Sequence, residues 1–422
     1  FFFAEPDRHE SVPVLSRMQA GSVVALSAQS LRRAAVRQLA CAPVLQEKHT
    51  LSLPILDFSA IRGACDVELV QSWGKAFEEH GFVLLRGIPQ EVLQAVADLE
   101  ARAREFFSGQ SVEQKRQFQL SKHYRAGYGS PGQIAVSHGS TIRKRNSDAV
   151  ETFSLPSLSS EIEMVADAVI PSPLFPEKTG GKCRSYEDSG ALRAAFVRYY
   201  KLAQQQLMLP SLELTRKYFQ LEDTYFRSPS GGFYAGTASG TVLNAFGRVT
   251  TNHYLPRWQD NQLEYGEHTD TSMFTFVRRS GPNGLQFSRR PHCSTGTDPW
   301  DDDGAWVDIP YDPDIFVVNS GDTMERMTNG RWKAVLHRVT GAPRELGMEV
   351  HDRHEKQQIG TEKQPLTVGF FVQPCHEHAL TPLPSPLIEQ QVRAEYFPVL
   401  TAAGLREAKV GNMRKPDEGT GN

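Results

Sequence analysis

The sequence predicts a mainly β fold with flanking helices: a barrel or jelly roll behind an α/β N-terminal region. Three observations carry that expectation. Strand and helix patterns alternate through the first third of the chain, and a long helical segment follows. From about Gly240 onward short alternating apolar runs recur between Gly, Asn and Asp. Turn residues at intervals of roughly ten are what a closed or sandwiched antiparallel sheet demands. With 39% hydrophobic and 23% charged residues among 422, the chain can bury a sizeable core, which excludes a disordered or fibrous molecule.

The elements follow in order. From Ser11 to Leu45 there is no Asp or Glu, while Arg17, Arg32, Arg33 and Arg37 sit among small and polar residues. Residues 1–50 therefore read as a flexible extension or a transit-peptide remnant. Leu53-Pro54-Ile55-Leu56-Asp57-Phe58 predicts a strand. Leu69, Trp73 and Phe77 recur at helical spacing between Glu68 and His80, and Gly81 stops that helix. Phe82 to Leu85 predicts a second strand, and a second amphipathic helix runs from about Gln90 to Phe107. Gly, Ser and Pro become frequent from Tyr124 to Lys182, so Gly127 to Gly132 is expected to be loop. The helical segment from about Glu187 to Tyr218 contains Pro210, which has no N–H to donate and should kink or split it. Strands are then expected at Met273–Val277, Trp306–Ile309 and Ile315–Val318. Two polar inserts, Arg289 to Gly304 and Gly341 to Gln364, break that rhythm. The resulting division is an extension (1–50), an N-terminal region (51–186), a helical spacer (187–239), the β core (240–378), and a C-terminal helix and tail (379–422).

Composition also excludes functions. The formal net charge is −3, from 46 basic and 49 acidic residues, so no nucleic-acid partner is expected. No apolar run approaches the length of a membrane span, so no membrane is expected either. Five scattered cysteines with no C-x-x-C pair suit a reducing compartment, cytoplasm or plastid. A small molecule is the expected partner of a monomeric chain.

The chemistry concentrates at His268-Thr269-Asp270. On a strand, residues i and i+2 share a face, so His268 and Asp270 can present an imidazole and a carboxylate together. A distal His337 would complete two histidines and one carboxylate, leaving three positions open on an octahedral ion, the donor set of non-haem Fe(II) oxygenases. Other histidines are weaker candidates. His351 and His354 lie in a charged insert, and His376 and His378 follow the last core strand. Asp322, after Gly321, reads as turn chemistry, and Met324 and Met327 as packing.

The neighbours of that tripeptide are distinctive. Glu267-His268-Thr269-Asp270-Thr271-Ser272 precedes Gly284-Leu285-Gln286-Phe287 and Trp306-Val307-Asp308-Ile309-Pro310. Val317-Val318-Asn319-Ser320-Gly321-Asp322, Thr328-Asn329-Gly330-Arg331 and Lys333-Ala334-Val335-Leu336-His337-Arg338-Val339 follow in that order. The set resembles the C-terminal core of the 2-oxoglutarate/Fe(II)-dependent dioxygenase superfamily, in its isopenicillin N synthase-like, plant-type branch. Leu53 to Asp57, His80-Gly81-Phe82, Gly87-Ile88-Pro89, Glu105-Phe106-Phe107, Arg125 to Gly129 and Glu151-Thr152-Phe153 resemble the rest of that branch.

The resemblance implies a double-stranded β-helix (jelly roll) core, Fe(II) held by His268, Asp270 and His337, 2-oxoglutarate as cosubstrate, and O2. Asn252 and Tyr254 match an Asn-x-Tyr that contacts 2-oxoglutarate in relatives, whereas His253, between them, should point the other way. One departure matters. Where relatives carry Arg-x-Ser, this chain has Pro365 and Thr367, so the hydroxyl is kept and the guanidinium is lost. A buried carboxylate needs a cationic partner, and a bidentate arginine is the usual one. The candidates are Lys363, Arg344, Arg353 and, preferred, Arg278, which continues the alternation His268, Asp270, Ser272, Phe274, Phe276. The implied activity is oxidation of an unactivated C–H bond by hydroxylation, desaturation or ring closure. Halogenation is excluded, because Asp270 fills the position a halide would need. Arg338, Arg344 and Lys363 suggest a carboxylated substrate such as an amino-acid derivative. Two other readings are an iron oxidase of the same fold that uses no 2-oxoglutarate, and a non-catalytic small-molecule-binding module.

Overall fold

The apolar run after Leu53 forms a short strand, β1 (Ile55–Asp57), parallel to β2 (Phe82–Arg86). Between them lies helix α1 (Val67–Glu79). The Asp66 carboxylate caps its start, and Gly81 at φ +73° ends it, a conformation that costs glycine nothing. The computed structural model describes residues 53–62, 66–118, 126–132, 148–159, 161–169, 189–237, 240–257, 262–288, 306–341, 364–390 and 400–413. The extension over 1–50 and both polar inserts fall outside them, apart from their edge residues Gly341 and Gln364. So do Lys363, Arg344, Arg353, His351 and His354.

Helix α2 (Gln90–Gly109) matches its expected span. The stretch expected to be loop contains a short strand, β3 (Gly127–Gly129), paired antiparallel to the nine-residue β4 (Val150–Leu158). Glycines at both ends hid it, but Gly129 leaves room for Thr152, whose hydroxyl would lie 2.6 Å from a Cβ placed there. The long helical segment is not broken at Pro210. Helix α3 (Ser189–Ala203) widens into one π-turn (Gln204–Met208) and continues as α4 (Leu209–Tyr218). Pro210 sits in the first turn after the π-turn, where the wider winding absorbs its missing N–H. Strands β5 (Tyr234–Thr237) and β6 (Gly240–Leu243) then pair antiparallel with each other as a separate two-stranded sheet.

Eight later strands build the jelly roll. They are β7 (Phe246–Tyr254), β8 (Tyr265–His268), β9 (Phe274–Arg279), β10 (Leu285–Ser288), β11 (Trp306–Asp308), β12 (Phe316–Ser320), β13 (His337–Val339) and β14 (Leu366–Gln373). They divide between two sheets. The major sheet runs β1-β2-β12-β9-β14-β7-β4-β3 and the minor sheet β11-β10-β13-β8. Successive strands switch sheets except at the β10–β11 pair, the connectivity of a jelly roll. Strands of the N-terminal region extend the major sheet at both edges, so the two regions share one hydrogen-bonded surface.

The major sheet has two working faces. Phe274, Phe276, Val318, Val368 and Phe370 point toward the helices, where they pack with Trp73, Phe77 and Phe196 in the larger core. Phe82, Leu84, Val317 and Tyr254 point the other way and meet Phe287, Val335 and Val339 of the minor-sheet side in a smaller core. The functional candidates lie on that second face.

Candidate metal centre

His268 ends β8 and His337 opens β13, and the two are direct partners in the antiparallel pairing. Their side chains share the inner face, with ring centroids 4.2 Å apart. Asp270 lies beyond the end of β8, so strand alternation does not aim it. The loop that carries it is pinned from the far side instead. Asp322 N donates to Asp270 O at 2.8 Å, and Thr323 Oγ1 donates to Thr271 O at 2.6 Å. Gly321 makes that approach possible, because a Cβ there would come within 2.6 Å of Asp270 O and 2.4 Å of Ser272 O.

Hydrogen bonds orient each of the three donors. His268 Nδ1 lies 2.7 Å from Gly266 O, and His337 Nδ1 lies 3.2 Å from Val335 O. A carbonyl only accepts, so each ring carries its proton on Nδ1 and leaves the Nε2 lone pair free to ligate. Asp270 Oδ2 accepts from Thr275 Oγ1 at 2.6 Å and from Asn319 Nδ2 at 2.8 Å, which leaves Oδ1 facing inward. Oδ1 stands 3.6 Å from His268 Nε2 and 3.9 Å from His337 Nε2. The three groups are buried, and one ligand atom from each lies within 4.8 Å of the others. Burial and the neighbouring His337 push the His268 imidazole down to about 3, so it is neutral and its contact with Asp270 is not an ion pair. Burial acts to raise the Asp270 carboxyl. The neighbouring His337 first, with the bonds from Asn319 and Thr275, outweighs it and holds the carboxyl below its ordinary value. Two imidazoles presenting Nε2 and one carboxylate fit Fe(II).

Beside this centre, Asn252 and Tyr254 share one side of β7. Asn252 Nδ2 donates to Thr367 Oγ1 at 3.2 Å, and the Tyr254 hydroxyl lies 3.0 Å from the same oxygen. Three of the five residues expected to contact the cosubstrate, Asn252, Tyr254 and Thr367, thus lie together. His253 turns to the opposite face, where it meets Glu151 at 2.9 Å and stacks on Phe107.

Arg278 is a correction. The chain bends between Asp270 and Phe274, which resets the alternation, so Thr275, Val277 and Arg279 face the site and Arg278 does not. Arg278 pairs across the sheet with Val368 on the helix side, within the electrostatic reach of Glu100 and Tyr199. Arg338 also turns away from the metal donors. It donates to Gln286 and Glu267 and lies 4.0 Å over the Trp306 ring, so it lends a carboxylated substrate no support. Asp322 opens a short helix, α5 (Asp322–Met327), and its carboxylate meets Lys409 of the C-terminal helix α6 (Ala402–Met413). His376 packs against Phe246, with ring centroids 4.4 Å apart, and among the described residues no group of three metal-ligating side chains includes it or His378. Sequence reasoning missed Thr275, Arg279 and Lys409 and gave Asn319 no role. Only Asn319 lay inside a quoted motif.

Comparison with known proteins agrees with this geometry. Residues 246–346 match the family model of the 2OG-Fe(II) oxygenase superfamily. Residues 53–173 match that of the non-haem dioxygenase in morphine synthesis N-terminal region. A gibberellin 2-beta-dioxygenase 1 of Pisum sativum is 38% identical over 37% of this chain and 40% of its own length. A gibberellin 2-beta-dioxygenase of Phaseolus coccineus is 32% identical over 33% of this chain and 34% of its own. The matched part thus spans well under two thirds of these relatives. A flavonol synthase/flavanone 3-hydroxylase of Petunia hybrida is 24% identical over 80% of this chain and 78% of its own. Among solved structures, the dioxygenase for auxin oxidation of rice superposes with TM-score 0.53 at 16% identity, covering 86% of this chain and 97% of its own. JOX2 in complex with 2OG, Fe and JA gives TM-score 0.56 at 18% identity, covering 86% and 89%. At those identities the structures support the fold.

Proposed function

We propose that the chain, whose residues 246–346 and 53–173 match the two oxygenase family models, is an Fe(II)- and 2-oxoglutarate-dependent dioxygenase oxidising an unactivated C–H bond of a small molecule. The observation that carries this reading is the convergence of His268 Nε2, His337 Nε2 and Asp270 Oδ1 between the two sheets. His268, Asp270 and His337 would hold Fe(II), and Asn252, Tyr254 and Thr367 would contact 2-oxoglutarate. When bound, the metal and cosubstrate supply the oxidising power of O2, with 2-oxoglutarate leaving as succinate and CO2.

The remaining work belongs to the chain. Gly266 O and Val335 O hold the Nδ1 side of each ring and turn both Nε2 atoms toward the site, and Asn319 and Thr275 turn Asp270 Oδ1 inward. Burial keeps the Tyr254 phenol protonated, so it remains a donor beside Thr367. Phe82, Leu84, Val317 and Phe287 close the space between the sheets with apolar surface and exclude water. The core is taken as residues 240–378, with 51–186 packed on it, 187–239 as the helical spacer and 379–422 as the C-terminal helix and tail. We read the chain as a monomer of the cytoplasm or plastid. The near-neutral charge and scattered cysteines support that setting.

The test is stoichiometric. Supplied with Fe(II), 2-oxoglutarate and O2, the protein is expected to release succinate and CO2 in equal amounts. Succinate formation no faster than that of the His268→Ala variant would reject the reading. The intact donor set gives a silent binding module no support.

A further inference from the structure

Arg279 has no explanation in the packing alone. It ends β9 with a side chain only 3% exposed. Its guanidinium donates to Ile309 O at 2.9 Å and to Pro310 O, and lies 5.7 Å from the centre of the Tyr311 ring. These partners orient the group, but none carries a negative charge. Among the described residues no carboxylate lies within ion-pair distance of it; Asp312 acts on it only from farther off, and burial outweighs that and pulls its pKa down to about 10, leaving it cationic at neutral pH. A buried cation fixed by carbonyls and touching no anion is costly unless something brings one.

We propose that Arg279 clamps the far carboxylate of the 2-oxo dicarboxylic cosubstrate, doing from β9 what Pro365 cannot do from the approach to β14. The proposal rests on the dioxygenase reading above. Three placements carry it. Thr367 is the direct cross-strand partner of Arg279 on one side and of Asn252 on the other, so the three form a row across neighbouring strands. Along β9, Arg279 shares a face with Thr275, which touches Asp270, and four residues of strand span roughly 13 Å. That separation suits a metal-bound chelate at one end and an arginine side chain reaching back from the other. Finally, Asn252 Oδ1 and Asn283 Oδ1, whose side chains both bond the Tyr254 hydroxyl, are buried without partners. Rotating either amide would present an NH2 donor to an anion instead. Tethering the turn at Ile309 and Pro310 accounts for two N–H groups of Arg279 but not for its charge.

The test compares 2-oxoglutarate with 2-oxopentanoate, which keeps the chelating end and the five-carbon chain but lacks the far carboxylate. Binding to the anaerobic Fe(II) protein is read from the visible charge-transfer absorption that a 2-oxo acid chelated to Fe(II) adds. Retained iron shows in each variant that the centre is folded. The wild-type protein is expected to prefer 2-oxoglutarate strongly. Arg279→Gln should weaken 2-oxoglutarate by at least about thirtyfold, the low end for removing one partner of a buried charge pair, and leave 2-oxopentanoate nearly unchanged. Arg279→Lys should restore part of the preference, and Arg278→Ala should keep all of it. A preference that survives Arg279→Gln, or is lost in Arg278→Ala instead, overturns the proposal while leaving the dioxygenase reading intact. Iron-loaded wild-type protein that binds neither acid overturns both.

Discussion

Asp270 shows how little freedom the site leaves to a single group. Its outer oxygen is held by Thr275 and Asn319, which face each other across β9 and β12, so the inner oxygen has one direction left. Removing either hold should loosen the donor without unfolding the chain. Asn319→Ala and Thr275→Val are each expected to weaken Fe(II) binding by about 10- to 100-fold, measured by anaerobic titration, with unchanged circular dichroism. A second buried cluster serves stability instead. Glu151 accepts from Lys115 Nζ at 2.9 Å and Tyr128 Oη at 2.7 Å, and lies 2.9 Å from His253 Nδ1. Burial would raise its carboxyl, but His253, Lys115 and Tyr128 together hold it below its ordinary value. A lowered carboxyl stabilises the fold above its unfolded-state pKa, and that stability is lost as pH falls through the folded-state value. Denaturant titrations from pH 7 down to pH 3 should therefore show a shallower acid loss in Glu151→Gln than in the wild type. An equally steep loss would assign the acid sensitivity elsewhere. At this scale the clustering of His268, Asp270 and His337 was legible, because residue type and spacing declare it. Thr275 and Asn319 were not, because their role depends on which strands pair.

Elements are where sequence reasoning both succeeded and slipped. Helix α1 and strands β2 and β12 fall close to their expected spans, because apolar periodicity and glycine stops act locally. Arg278 was misplaced because a bend of a few residues, invisible to a period-two count, swaps the faces of β9. Helix α6 carries information of a third kind. Lys409 Nζ reaches Thr269 O at 2.6 Å and also meets Asp322, so the last helix grips the loop between two metal donors. Nothing near Lys409 in the sequence announces a contact with Thr269, 140 residues earlier. Lys409→Met is expected to weaken Fe(II) binding on the order of tenfold while the helix stays docked through Ala402 and Leu405. Unchanged affinity would reduce that contact to ordinary surface pairing.

The whole molecule separates stability from chemistry by the two faces of one sheet. The helix-side core holds Trp73, Phe77, Phe274 and Trp332 in ring contact, on the face of the sheet opposite to Thr275 and Asn319. Phe77→Ala should cost about 3–5 kcal/mol of stability yet leave Fe(II) affinity of the folded protein within a factor of about two. The metal in turn should report on the folded state alone. At a free concentration 100 times its dissociation constant it would add about 2.7 kcal/mol, raising Tm in the wild type but not in His337→Ala. The jelly roll was legible because turn spacing and motif order survive even where inserts interrupt them. The sharing of one sheet by the N-terminal strands was not, because parallel β1–β2 pairing and the β4–β7 ladder join distant segments.

Anaerobic equilibrium dialysis with Fe(II) addresses the three-donor centre most directly. One tightly held iron per chain is expected in the wild type, with retention abolished or reduced by orders of magnitude in His268→Ala, Asp270→Ala and His337→Ala. Wild-type protein that retains no iron, or three variants that retain it as well as the wild type, would rule that centre out.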